Sequence, residues 1–147
     1  MSRMHFISLP VRDVAASQAF YEAIGFTSNP RFADADTACM VWCDTFFAMI
    51  MTREKWRTFT DRPIPERGSS QIMLGLACGS REEVDRLAEQ ATPSGGLTDA
   101  QPVTDYGTMY ARTVTDPDDH LWELTWFDSV APFVGEPAEA QDAQAQD

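Results

Sequence analysis

Glu123 sits between Trp122 and Leu124, in a run from Leu121 to Phe127 with the composition of a central strand. A carboxylate in such a place must find a partner or shift its pKa if it is buried. Two chemistries follow. In a partly apolar cavity its pKa rises toward neutrality, and it can move a proton beside a carbonyl as a general base. Paired with Arg112 on the neighbouring run, it is instead one arm of an ion pair. Other groups with chemical reach are few: two histidines, His5 and His120, and three cysteines, Cys39, Cys43 and Cys78. Cys39-x-x-x-Cys43 lacks the paired spacing of a zinc ribbon and puts both thiols on one strand face, so the cysteines read as small structural side chains.

These groups need a scaffold, and the chain contains one twice. A strand-like run, a capped helix and two further strand-like runs occur before residue 53 and again after residue 70. In the first copy Phe6 to Val11 alternates, Asp13 caps a helix over about 14–24 that stops at Gly25, and Thr37–Cys43 and Phe46–Thr52 form a hairpin. In the second, a strand begins at Gln71, Ser80 with Glu83 makes a capping box, and Thr108–Thr115 and Leu121–Phe127 close on the turn Asp116-Pro117-Asp118-Asp119. Matching the copies sets Ile50 opposite Glu123. The expected organisation is one domain over residues 1–131, with module 1 at about 5–52, a linker at 53–70, module 2 at about 71–128, and an acidic, disordered tail at 132–147. The linker, rich in Pro and Gly and carrying Trp56, is placed to cross a cavity mouth.

Side-chain parity then divides each strand. Ile7/Leu9/Val11, Ile72/Leu74/Leu76, Met49/Met51 and Trp122/Leu124/Trp126 are almost wholly apolar and are expected beneath the helices. Phe6/Ser8, Gln71/Met73, Ile50/Thr52 and Glu123/Thr125 are mixed, as the lining of a ligand cavity is. With Trp56 and Arg112, the candidate ligand contacts are Phe6, Ser8, Ile50, Thr52 and Met73.

Composition narrows the classes. The 147 residues are 44% hydrophobic, enough for a substantial core, and no stretch approaches the roughly 20 apolar residues of a membrane helix. No basic-then-apolar export signal opens the chain, so a cytoplasmic protein is expected. Eleven Lys and Arg against 23 Asp and Glu give a net charge of −12, which argues against nucleic acid and toward a neutral or cationic ligand.

The stretches Phe6-Ile7-Ser8-Leu9-Pro10-Val11-Arg12-Asp13-Val14, Phe20-Tyr21-Glu22-Ala23-Ile24-Gly25-Phe26 and Asp116-Pro117-Asp118-Asp119-His120-Leu121-Trp122-Glu123-Leu124 resemble the vicinal oxygen chelate superfamily. This is the glyoxalase, bleomycin-resistance and extradiol-dioxygenase group, and the likeness covers about residues 5–128. It implies an α+β fold of two tandem βαβββ modules, an open, curved mixed sheet around a central cavity with the helices outside, commonly as a homodimer. It also implies metal ligands on the first and last strands of each module, which carried over here are Phe6, Ile50, Gln71 and Glu123. Only Gln71 and Glu123 can bind a metal. His5 is one residue out of register with Phe6, and His120 lies in or beside the turn. Where Asp119 stands, relatives usually have Gly.

Beside a fold-retaining protein whose cavity is closed by Phe6, Ile50 and Met73, two functions stay open at this level. One is a glyoxalase-like enzyme, with lyase- or dioxygenase-related chemistry, in which Glu123 is the base or holds a weakly bound divalent metal completed by Gln71 and water. The other is a metal-free protein of the bleomycin-resistance type that sequesters an amphipathic or cationic compound.

Overall fold

Alternation and capping build the first elements. Strand β1 (His5–Val11) buries Leu9 and Val11 and leaves His5 and Phe6 exposed. Asp13, in extended backbone, accepts a 3.0 Å hydrogen bond from the Ala16 N–H and starts α1 (Val14–Ala23); such a cap contributes about 1 kcal/mol. Gly25, at φ +113°, ends that helix in the left-handed region. The computed structural model describes residues 3–130 and residue 133. Apart from Phe133, the tail expected at 132–147 lies outside the described residues.

The chain continues through β2 (Thr27–Ser28), β3 (Thr37–Cys43), β4 (Phe46–Thr52), the single-turn helix α2 (Arg53–Trp56) and β5 (Leu74–Ala77). Then come α3 (Arg81–Ala88), β6 (Leu97–Thr98), β7 (Thr104–Asp105), β8 (Met109–Thr115) and β9 (Leu121–Phe127). The two βαβββ modules are therefore present, the second with the short β7 added beside β8. Their strands form two sheets, ordered β1-β4-β3-β2 and β5-β9-β8-β6. In each, the first strand runs parallel to the last, β1 to β4 and β5 to β9, and the remaining pairs are antiparallel.

α1 packs on β3 and β4, and α3 on β8 and β9. One apolar cluster runs beneath both helices, from Leu9, Phe20 and Ile50 to Val84, Leu87 and Trp122. Tyr21, Phe26 and Trp122 meet edge-on with ring centroids 5.3 to 5.7 Å apart and join the halves. Gly96 is obligatory at its place, because a Cβ there would strike the Thr115 carbonyl and lie 2.6 Å from the Phe20 ring. Among the described residues no helix is long and apolar enough to cross a membrane.

Two sequence expectations change. The face of β4 is inverted, because its register pairs Ile50 with Leu9 and Met49 with Ser8. Ile50 is fully buried beneath the helices, and Met49 takes the concave face. Met49, rather than Ile50, therefore answers to Glu123, just as Ile50 answers to the buried Leu124. Phe46-Phe47-Ala48-Met49-Ile50-Met51 is apolar throughout and carries no alternation, so only the ladder with β1 sets its faces. The second change is the start of β5, which begins at Leu74 and not Gln71. Its partner β9 begins at Leu121, one residue before the Trp122 that pairs with Leu74, so Gln71 and Ile72 have no strand to pair with, and Gln71, Ile72 and Met73 are exposed.

Candidate functional site

The turn between β8 and β9 organises this end of the molecule. Asp116 is 2% exposed; its Oδ1 accepts from the Asp118 and His120 N–H groups at 2.9 and 2.8 Å, and its Oδ2 accepts from Tyr21 Oη at 2.7 Å. Tyr21 Oη in turn accepts from Trp122 Nε1 at 3.1 Å. Burial, reinforced by the Asp116 charge, pushes the Tyr21 hydroxyl well above its usual pKa, so it remains a donor. Burial also raises the Asp116 carboxyl, against the pull of His120 and the Tyr21 hydrogen bond. His120 Nε2 lies 2.8 Å from the Pro10 carbonyl, and a carbonyl only accepts, so that nitrogen carries the proton. The Arg12 N–H donates to Asp118 at 3.0 Å, completing the stitching of the turn to β1.

The same turn holds down the linker. Asp119 has φ +71°, the conformation that favours Gly, and tolerates it as Asp and Asn do. Its carboxylate accepts from the Gly68 N–H, while the Arg67 guanidinium donates to the Pro117 carbonyl at 2.6 Å. The linker is thereby drawn across the end of β1 and roofs a cavity of about 310 Å³. Ser8 and Pro10 of β1, Trp56 of α2, Pro63 and Ile64 of the linker, and Leu121 of β9 supply much of its wall. Gln71, Arg53, Arg62, Asp118 and His120, with Glu66, Asp119 and several hydroxyls, add polar groups to a wall whose exposed surface is mainly apolar, the usual balance of a small-molecule site.

Of the residues singled out from sequence, Ser8, Trp56 and Gln71 meet at this cavity. Phe6 is 64% exposed and stacks on Phe47, with ring centroids 5.4 Å apart, away from the cavity. Ile50 is in the core, Met73 is 50% exposed outside the strands, and Thr52 caps α2 by accepting from the Lys55 N–H. Arg112 pairs in register with Leu124, on the helix side, so it faces away from Glu123. There it donates to Asp99 at 2.9 Å through two nitrogens and to Asp85 at 2.9 Å. The ion pair between Arg112 and Glu123 weighed from sequence is therefore absent. Glu123 lies half-buried on the concave face opposite Gly75 and Thr113 and accepts a 3.0 Å hydrogen bond from Thr125 Oγ1.

Sequence reasoning passed over Arg53, Arg62, Asp118 and His120 as cavity residues. One signal was available: residues 53–67 hold five of the chain's eleven cations, Arg53, Lys55, Arg57, Arg62 and Arg67, in a chain of net charge −12.

Phe6, Ile50, Gln71 and Glu123, the four positions that the resemblance implies as metal ligands, do not fit a divalent ion here. Phe6 offers no donor, and neither Ile50 nor Met49, its replacement in the true register, offers oxygen or nitrogen. Gln71 lies outside β5 and lines the roofed cavity, whereas Glu123 pairs with Gly75 inside β5 and lies outside that lining. Among the described residues no group of three or more His, Cys, Asp or Glu is placed to hold a metal ion.

Comparison with solved structures puts this geometry among known folds. The chain superposes on a glyoxalase-related enzyme from Fulvimarina pelagi with a TM-score of 0.71, at 22% identity over 87% of this chain and 90% of that one. A glyoxalase/bleomycin resistance protein/dioxygenase family enzyme from Burkholderia phytofirmans PsJN gives 0.68 at 17% identity, covering 86% and 99%. The chain has the vicinal oxygen chelate fold. A hypothetical protein from S. aureus shares that fold at a TM-score of 0.72 and 21% identity, over 86% of this chain and 94% of that one. The bleomycin resistance protein-like N-terminal family matches residues 3–42, which run from the start of the described chain through β1, α1 and most of β3. No curated protein matches the sequence. The vicinal oxygen chelate fold explains the paired modules, and the roofed cavity lies where β1, β5 and β9 come together at their shared end.

Proposed function

We propose that this protein binds a small amphipathic molecule in the cavity beneath its linker, without a catalytic metal, as a homodimer. One observation carries the reading: the linker is fastened over an apolar-walled space of about 310 Å³ by Arg67 and Asp119, residues with no other evident task. A drug-sized ligand occupies such volumes, usually with a few polar groups to orient it. Ser8, Gln71 and the Arg53 guanidinium are in place for that. Glu123 lies outside the cavity lining, and this supports a binding role over proton transfer by that carboxylate. Exposed Phe6, stacked on Phe47, gives a second copy an apolar surface to cover.

The test is thermal unfolding with a panel of eight-carbon amphiphiles, octanol included, against wild type and Ser8→Trp, which fills the cavity from its floor. The reading expects a ligand-dependent rise in Tm for wild type that Ser8→Trp abolishes. Equal shifts in both proteins would refute it.

A further inference from the structure

Beside the roofed cavity, and sharing Arg53, Pro63, Ile64, Pro65, Glu66 and Asp118 with it, lies a second concavity of about 460 Å³. Its walls bring together four guanidiniums, those of Arg12, Arg53, Arg57 and Arg67, against the carboxylates of Asp118 and Glu66. Two of the four are engaged: Arg12 lies 3.7 Å from Asp118, and Arg67 donates to the Pro117 carbonyl. Among the described residues the side chains of Arg53, Arg57 and Arg62 make no hydrogen bond or ion pair. Arg53 Nε is buried with no partner at all. A buried donor left unmade is costly unless a ligand satisfies it.

We infer that this concavity is an anion subsite of the cavity, so that the ligand is an amphipathic acid whose carboxylate or phosphate head meets Arg53 and Arg57 while its apolar body lies along Trp56, Pro63 and Leu121. The inference rests on the binding function proposed above. Arg53 lines both spaces and is the hinge between head and body. The chain's overall charge of −12 argued for a neutral or cationic ligand. Within a Debye length of about 8 Å, however, a bound head group meets mainly the local charge, and that is positive. Guanidinium is also suited to the task, since its fixed fork matches carboxylate and phosphate oxygens two at a time.

Calorimetric titration of the full chain with octanoate, octyl phosphate, octanol and octylammonium tests this. Octanoate and octyl phosphate are expected to bind at least tenfold more tightly than octanol, and octylammonium more weakly than octanol. Arg57→Gln, at an exposed position whose loss leaves the fold intact, and Arg53→Met are each expected to lower octanoate affinity about tenfold or more, the effect of losing one charged hydrogen bond. Arg57→Gln, outside the lining of the roofed cavity, leaves octanol binding unchanged. Octanol or octylammonium binding as tightly as octanoate, or octanoate affinity unmoved by both substitutions, overturns the anion subsite and leaves the cavity standing. Failure of all four probes to bind overturns both.

Discussion

Replacing Asp116 by Ala strips the acceptor from three donors at once: the Tyr21 hydroxyl and the Asp118 and His120 N–H groups. Tyr21 is fully buried, so its stranded hydroxyl costs roughly 1–3 kcal/mol. The two amides lie in a half-buried turn where water can substitute, at about 0.5–1 kcal/mol each. Removing a desolvated carboxylate returns part of this, because burial holds Asp116 in an unfavourable state. The net loss expected is roughly 2–4 kcal/mol, read as a fall of about 1–2 M in the urea midpoint at unchanged slope. Tyr21→Phe strands the Trp122 Nε1–H and should cost roughly 1–3 kcal/mol alone. Because both substitutions break one network, the double variant should be less destabilised than the two losses added, by about 1 kcal/mol or more. A loss below about 1 kcal/mol for Asp116→Ala, or strict additivity, would refute the claim that this network ties the two halves together.

Gly96→Ala should destabilise by about 2 kcal/mol or more, checked by urea unfolding, since its methyl has to displace the Thr115 backbone or the Phe20 ring. Stability should fall as pH drops from about 4 toward 2. Arg112 holds the Asp99 carboxyl below its usual pKa and Arg81 holds Asp105 at about 2, so both contribute fully above the ordinary carboxylate range and lose that contribution as they protonate. Urea midpoints at pH 5 and pH 2.5 should differ less in the Asp99→Asn/Asp105→Asn double variant. Iodoacetamide at neutral pH should label Cys43 first, since it is exposed and the Thr45 hydroxyl lowers its thiol pKa. Cys78, raised to about 11 by burial, and buried Cys39 should react only on unfolding, as peptide mapping by mass spectrometry will report.

The modules were readable because their signals are local. Asp13 and Ser80 cap the helices where their hydroxyl or carboxylate chemistry indicates, and polar Glu123 and Thr125 alternating with Trp122 and Leu124 set the faces of β9. β4 was misread because its one polar residue, Thr52, stands at the strand's end and caps α2, so it marks no cavity face, and Ile50, expected in the cavity, lies in the core. The cavity itself depends on contacts between residues far apart in sequence, such as Arg67 with Pro117 and His120 with Pro10. No spacing rule brings those together. Arg112 was placed on the right strand, but its partners Asp85, Asp99 and Glu89 come from the helix side, and parity with Leu124 would have excluded Glu123.

The central claim, that ligand is held beneath the linker and apart from Glu123, is tested most directly by fluorescence titration with octanol in Trp56→Phe and Glu123→Gln. Trp56 lines the cavity and Glu123 does not. The account predicts a saturable emission change in wild type and in Glu123→Gln that is lost in Trp56→Phe. A change that persists in Trp56→Phe and vanishes in Glu123→Gln would place the ligand on the concave face and contradict it.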